Sequence, residues 1–369
     1  MAGRAAERAT LEDVAQAAGV SKATASKVLN GRGGVSAATR QRVHDVMTEI
    51  RYRPSTAHGT GTSVDELTVL FDAFESPYAV QVLGGIVAAG LELGVDVVAT
   101  TLSGRHEHEP LSAAWLHSIA AKGHRGVIVV TTEVAAEAIE AAAAEGIGLV
   151  TVDPVTARDG DDDGLVTVSA TNWTGGFQAT RHLLDLGHRR IGFAGGPPES
   201  TPARHRLHGH RGALTAADLT VDPELIEQFG FTHADGRRMT ERLLDLDPPP
   251  TAIVAGCDTS ALGVLAAARD RHLRVPEDLS VIGFDDTFLA ESAAPPLTTV
   301  RQPLREMGRL AVRTVLALAR GERPDTHHFE LATSLIVRES TAPPKPAADP
   351  SIRDRAGQPD PATRPRRTR

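Results

Sequence analysis

Over residues 10–30 apolar side chains recur in steps of three and four: Leu11, Val14, Ala15 and Ala18 line one face of a short helix. Gly19 follows where a helix stop needs a residue that tolerates positive φ. Ser21 can then cap a second helix, from Lys22 to about Leu29. In that helix Ala25, Val28 and Leu29 face inward, while Lys22, Ala23, Ser26 and Lys27 face outward. A third run, capped by Ser36 and ending near Ile50, sets Val43, Val46, Met47 and Ile50 against the first two. Two short helices joined by a Gly-containing turn make a helix-turn-helix, whose second helix fits a DNA major groove. The same hairpin also serves as plain structure elsewhere, so the pattern alone leaves both readings open.

Beyond residue 66 the pattern changes. Apolar strand-like runs fall at 67–71, 95–101, 127–130, 149–152, 166–168, 191–194, 252–255 and 280–284. Helical patterns lie between most of them, for example at 79–93, 135–145, 174–186, 233–246 and 259–271. Such alternation predicts parallel sheets with covering helices, and two sets split near Ser169 predict two similar lobes. Residues 58–63, HGTGTS, form a glycine-rich connector between the helical head and this body. From residue 341 the chain is Pro-rich, charged and poor in apolar residues, which predicts a disordered tail. That tail lacks the leucine heptads of a tetramer seam.

With 369 residues the chain exceeds one core and suits a small head plus a two-lobed body. A 41% hydrophobic, 23% charged composition is ordinary for a soluble protein. One cysteine, Cys257, excludes an internal disulfide framework and fits a reducing cytoplasm. The first ten residues lack the apolar core of a secretory signal, and no run is long enough to span a bilayer, so a cytoplasmic protein without membrane contact is expected. The net charge of -8 argues against uniform coating of nucleic acid. Residues 1–58 are nevertheless basic, which confines phosphate contact to one end.

The stretch TLEDVAQAAGVSKATASKVLNGRGGVSAATRQRVHDVMTEIRYRP, residues 10–54, resembles the lactose-repressor (LacI) family of bacterial transcription regulators, and the likeness continues to about Ser340. The resemblance implies an all-α helix-turn-helix head and an α/β body of two Rossmann-like lobes, the periplasmic-binding-protein type I fold. It divides the chain into a head at 1–58 (core 10–54), a hinge at 59–66, a body at 67–340 and a tail at 341–369. The first lobe takes about 67–168 and 300–325, the second about 169–297 and 326–340. DTFLAESAAPPLTTVRQ, residues 286–302, matches the family's return crossover into the first lobe.

By the same resemblance Lys22, Ala23 and Lys27 fall at base-reading positions, and Thr10, Ser21, Thr24, Ser26, Asn30, Ser36 and Thr39 at phosphate-contacting or capping ones. Lys27 can donate to guanine O6 and N7, and the Ala23 methyl suits thymine. Ser21 and Ser36 serve equally as plain helix caps. One departure is clear: after Pro54 comes Ser-Thr-Ala-His-Gly-Thr-Gly-Thr, without the leucine that in the family wedges into the minor groove. Weaker kinking, or a looser link between body and head, is expected.

A two-lobed sheet fold binds ligands at the carboxyl ends of its strands. The residues expected there are Asp72, Tyr78, Asp153, Trp173, Arg206, Phe231, Cys257, Asp258 and Asp285. Carboxylates and a guanidinium beside aromatic faces suit a sugar. Asp258 can instead cap the helix after it, one of Asp285 and Asp286 can pair structurally, and Tyr78 and Phe231 can be core. Cys257 stands where the family places an asparagine, which removes an amide from the familiar sugar contacts.

Asp159–Gly164, DGDDDG, begins like a calcium loop, but the closing acid would be Ala170. His106, His108, His327 and His328 lack helical ligand spacing. No phosphate-binding glycine loop or nucleophile elbow occurs, so neither an enzyme nor a cofactor is expected. The expectation is a homodimeric repressor of carbohydrate-utilisation genes, reading a near-palindromic operator and released by a mono- or oligosaccharide. The wording of the body resembles regulators of plant-polysaccharide breakdown. A co-repressor-dependent regulator with a nucleobase or phosphosugar ligand is the alternative, and a periplasmic-type sugar-binding protein a more distant one.

Overall fold

The computed structural model describes residues 10–29, 34–49, 66–101, 110–124, 126–155 and 164–345. Asn30, residues 59–65 of the expected hinge, the acidic stretch at 159–163, His106, His108 and the chain beyond 345 lie outside them, while Glu66 already belongs to the first strand. The chain divides into two compact units, Met1–Ser63 and Val64–Arg369.

In the first unit α1 (Leu11–Ala17), α2 (Lys22–Leu29) and α3 (Ala37–Glu49) pack around Val14, Ala18, Val28 and Val43. Thr10 caps α1 in a capping box with Asp13. Gly19, at φ +64°, makes the turn into α2 that a side chain would strain. Arg42 Nε on α3 donates to Ala18 O at 3.2 Å, satisfying a carbonyl at the end of α1.

The second unit holds two sheets of the same winding. The first comprises β1 (Glu66–Phe71), β2 (Asp96–Thr101), β3 (Gly126–Val130), β4 (Gly148–Val152), β5 (Val166–Ala170) and β11 (His328–Leu331). Their order is β2-β1-β3-β4-β5-β11, all parallel. The second comprises β6 (Ile191–Gly195), β7 (Ile226–Gln228), β8 (Ala252–Ala255), β9 (Ser280–Asp285), β10 (Thr298–Arg301) and β12 (Ser334–Ile336). Its order is β7-β6-β8-β9-β10-β12, with only β12 antiparallel. Strands β3, β4, β6, β8 and β9 are buried throughout, as strands covered on both faces must be.

Helices α4 (Pro77–Leu93), α5 (Ala113–Lys122), α6 (Ala136–Glu145) and α12 (Leu304–Ala319) flank the first sheet. Helices α7 (Asn172–Asp185), α8 (Thr201–Ala216), α9 (His233–Leu244), α10 (Asp258–Asp270) and α11 (Phe288–Ser292) belong to the second. Helices α7 and α8 touch backbone to backbone: a Cβ at Gly176 would collide with Arg206 O, and one at Gly209 with Trp173 O. This close approach sets Arg206 beside the start of α7.

Three boundaries differ from expectation. Residues 300–301 belong to β10 of the second sheet, so the chain regains the first lobe only at Gln302 and Pro303. Residues 328–331 lie in the first sheet as β11, because β5 leaves a parallel edge for them, and the final crossover comes at 332–333. The expected disordered tail starts too early. Thr341 Oγ1 meets Thr298 Oγ1 at 3.2 Å, His188 bonds Ala342 O at 2.9 Å, and Ala342 N donates to Ser280 Oγ at 3.0 Å. Lys345 pairs with Asp278.

Candidate functional site

In the head, α2 presents its outward residues as the amphipathic pattern requires: Lys22, Ala23 and Lys27 are exposed and Thr24 and Ser26 half-buried. Ser21 Oγ accepts from Thr24 N at 3.2 Å, and Ser36 Oγ accepts from Thr39 N at 3.2 Å, so both are helix caps. Their hydroxyls also meet those of Thr24 and Thr39, at 2.9 and 2.8 Å. Lys22 pairs with Glu12 at 2.9 Å, which raises its pKa. Lys27, five residues further along α2, is exposed as well.

In the body, polar residues gather where strands end. Beyond β1, Asp72 Oδ1 accepts from Thr131 Oγ1 and from Ala73 N, both at 2.8 Å. Beyond β4, Asp153 is only 2% exposed. Its Oδ2 accepts from Tyr78 Oη at 2.6 Å, and its Oδ1 is buried with no hydrogen-bond partner among the described residues. Burial raises the Asp153 carboxyl above its ordinary value, opposed by the Tyr78 bond, the Arg206 charge and, more weakly, the nearby Ser169 hydroxyl and Ala170 N–H. Burial likewise lifts the Tyr78 hydroxyl well above its own, with the Asp153 charge adding.

From the second lobe comes Arg206, 4% exposed. Its Nε donates to Asn172 Oδ1 at 2.8 Å and its Nη1 to Gly256 O at 2.6 Å, while Asp285 Oδ1 stands 3.8 Å away. The guanidinium lies 3.9 Å from the Phe284 ring centre and 5.9 Å from that of Phe231. Asn172 is itself oriented, because its Nδ2 donates to Ala170 O at 3.0 Å. Asp285 Oδ1 also accepts from Gln302 Nε2 at 2.6 Å, which leaves Gln302 Oε1 buried and unpaired among the described residues. Thr201, at the start of α8, donates both its N–H and its hydroxyl to Val155 O, at 2.8 and 3.0 Å. That pair of bonds holds the lobes together beside the cluster.

The backbone is bent for this purpose. Thr131, Asp153, Asp285 and Asp286 all take positive φ, between 46° and 109°, at strand ends of the cleft. Such conformations persist where the surroundings over-determine them, commonly at binding sites.

Six expected cleft residues therefore meet around one polar centre: Tyr78, Asp153, Arg206, Phe231 and Asp285 directly, with Asp72 at the adjoining strand end. Three do not serve as expected. Asp258 is fully buried and committed: Oδ2 accepts from Thr287 N and Oγ1 at 2.7 and 3.0 Å, and Oδ1 from Thr299 Oγ1 at 2.6 Å. It fastens β10 and the loop after β9. Cys257 caps α10, its Sγ accepting from Ser260 N at 3.4 Å and donating to Phe231 O at 3.3 Å. Burial pushes that thiol up to about 12, so it stays neutral. Trp173 is 47% exposed, stacked on Phe177 at 5.2 Å and covering Gly212 on α8. Its neighbour Asn172 enters the cluster instead. Asp286 is the structural member of its pair, holding Arg301 at 2.6 Å and Arg338 at 2.7 Å.

Sequence reasoning missed Asn172 and Gln302 as members of the cluster. Both stand at crossovers between the sheets, where pairing across lobes leaves no local period to read.

A helix-turn-helix followed by a two-lobed body with a polar centre between its lobes defines a DNA-binding regulator with a ligand-binding domain. The chain belongs to the LacI family: the model of bacterial regulatory proteins of the lacI family matches residues 10–55, and that of a periplasmic binding protein-like domain matches 180–341. It is 34% identical over 345 residues to the HTH-type transcriptional regulator DegA of Bacillus subtilis (strain 168), covering 91% of this chain and 99% of DegA. Among solved structures, the complex of the transcriptional regulator CelR with cellobiose shares 32% identity at a TM-score of 0.68, covering 90% of this chain and all of that one. The lac repressor dimer bound to operator and an anti-inducer shares 28% identity at 0.66, covering 91% of this chain and 100% of its own.

Proposed function

We propose that this protein is a homodimeric repressor of carbohydrate-utilisation genes, released from a near-palindromic operator by a neutral mono- or oligosaccharide. The observation that carries the reading is the set of buried acceptors facing one fixed guanidinium: Asp153 Oδ1 and Gln302 Oε1 unpaired, Asp285 beside them, Arg206 opposite. Unpaired buried acceptors are satisfied by a ligand rich in hydroxyl donors, and Phe231 offers an apolar face to sugar C–H groups. A phosphosugar or other anion is disfavoured, because Arg206 already donates to Asn172 and Gly256 and the acids repel added negative charge. The CelR structure, which holds cellobiose, supports a β-linked glucose oligosaccharide as the first probe. The lac repressor structure, a dimer on its operator, supports dimeric binding to DNA. Such a protein works in the cytoplasm and catalyses nothing.

In this reading Lys22, Ala23 and Lys27 face base edges from α2, with Thr10, Ser21, Thr24, Ser26, Asn30, Ser36 and Thr39 around the phosphates. The test is protection of the gene's own upstream DNA from cleavage, repeated with a panel of neutral oligosaccharides. A two-fold symmetric footprint erased by one sugar is expected. A footprint that appears only with a purine would support the co-repressor alternative, and no footprint would contradict the regulatory reading.

A further inference from the structure

The charges in the cleft do not balance. Two buried carboxylates, Asp153 from the end of β4 and Asp285 from the end of β9, face a single guanidinium. Arg206 spends its shortest bonds on the neutral oxygens of Asn172 and Gly256 and reaches Asp285 Oδ1 only at 3.8 Å.

The other groups around Asp285 do not correct this. Asp258 on α10 adds a like charge near neutral pH: burial lifts its carboxyl to about 6, opposed by three hydrogen-bond donors from Thr299 and Thr287. Asp286 is neutralised by Arg301 and Arg338. Tyr78 on α4 is neutral and donates its hydroxyl hydrogen bond to Asp153 Oδ2. The Cys257 thiol is neutral and points to Phe231 O. Gln302 supplies one amide donor to Asp285 Oδ1 and no charge.

A carboxylate taken from water without a counter-charge takes up a proton instead. The geometry points to a proton held on Asp285 in the unliganded cleft, which a hydroxyl-rich effector expels on binding. This rests on the polyol reading above. Burial chiefly, with the Asp258 and Asp153 charges adding and Arg206 and Gln302 opposing, lifts the Asp285 carboxyl to about 8. When effector hydroxyls donate to Asp285, Asp153 Oδ1 and Gln302 Oε1, the ionised carboxylate becomes the better acceptor. The carboxyl O–H bond then breaks and its proton passes to the buffer. Effector affinity accordingly falls as pH drops below that value, by up to about tenfold per unit.

The held proton is tested without any ligand, by melting the full chain between pH 5 and 9 beside Asp285→Asn. The folded chain keeps a proton that the unfolded chain has shed above about pH 4. Wild type must therefore lose stability relative to the variant as pH rises toward 8, and run parallel to it above. Parallel curves throughout would overturn the proposal. If Asp285→Asn does not fold, Asp153→Asn removes a like charge and is expected to move the wild-type break to lower pH; an absent or unmoved break overturns it.

Expulsion is tested by calorimetry with cellobiose at pH 7, in phosphate and in Tris. Binding heats differing by the ionisation of about one proton are expected, and equal heats overturn it. If cellobiose does not bind, that counts against the sugar reading for this probe, and the melting curves still decide the held proton.

Discussion

Gln302 donates its side-chain amide to Asp285 Oδ1 at 2.6 Å and its backbone N–H to Asp285 O at 3.3 Å. The segment by which the chain returns to the first lobe is thereby bonded to an acid of the cleft. A ligand that draws on Asp285 draws on that crossover, and so on α12 and the first lobe beyond it. Gln302→Ala removes the side-chain bond and leaves Asp285 with one donor fewer, a cost of about 1–3 kcal/mol. A lower melting temperature is expected, together with a smaller ratio of operator affinities without and with the effector. Unchanged coupling, measured as that ratio, would place the crossover outside the switch.

Lys27 is an exposed cation of α2, while Lys22 on the same helix is paired with Glu12. If it reads a guanine, Lys27→Ala costs about 1–3 kcal/mol on the true operator and flattens preference at one base position. If it only meets phosphate, the loss is uniform across sequences and the salt dependence is shallower. Binding to a set of single-base operator variants at two salt concentrations separates these outcomes.

His210 is 1% exposed, with Nδ1 2.8 Å from Thr180 Oγ1. The Thr180 hydroxyl donates to Gly176 O at 3.0 Å, so the ring donates from Nδ1. Burial, with the Arg211 charge adding, depresses its pKa from 6.5 to about 3. The unfolded chain then binds the proton first as pH falls. Stability is full above about 6.5 and is lost downward toward 3, at up to about 1.4 kcal/mol per unit for this group. Between pH 7.5 and 5 the melting temperature of wild type should drop relative to that of His210→Gln, a difference that isolates this group from the opposite contribution of Asp285. Equal slopes would show that His210 titrates normally.

Much of this architecture was legible in the sequence for local reasons. The 3.6-residue period of Leu11, Val14 and Ala18 and the stop at Gly19 are properties of single helices, and the structure keeps them. The buried parallel strands likewise show as unbroken apolar runs, such as 127–130. Arg206, Asp285 and Tyr78 were legible through the family resemblance and do converge. What failed depends on the side of a helix or strand that faces another segment. Asn172 and Trp173 are adjacent, but the packing of α7 on α8 turns the first into the cluster and the second onto Phe177. Asp258 carries the right chemistry, yet Thr287 and Thr299 reach it from residues 29 and 41 positions away. The edge place of β11 beside β5, and the bonding of Ala342 to His188 and Ser280, likewise follow from tertiary contacts that local composition does not encode.

The central claim is that occupancy of the cleft around Arg206 sets the affinity of the head for DNA. It is tested most directly by titrating the footprinted operator with wild type and with Arg206→Met, each without and with saturating sugar, and reading fluorescence anisotropy. In wild type the sugar should weaken operator binding at least tenfold, about 1.4 kcal/mol of coupling. In Arg206→Met operator binding without sugar should persist, and the sugar effect should vanish. Equal operator affinities with and without bound sugar in wild type would contradict the account.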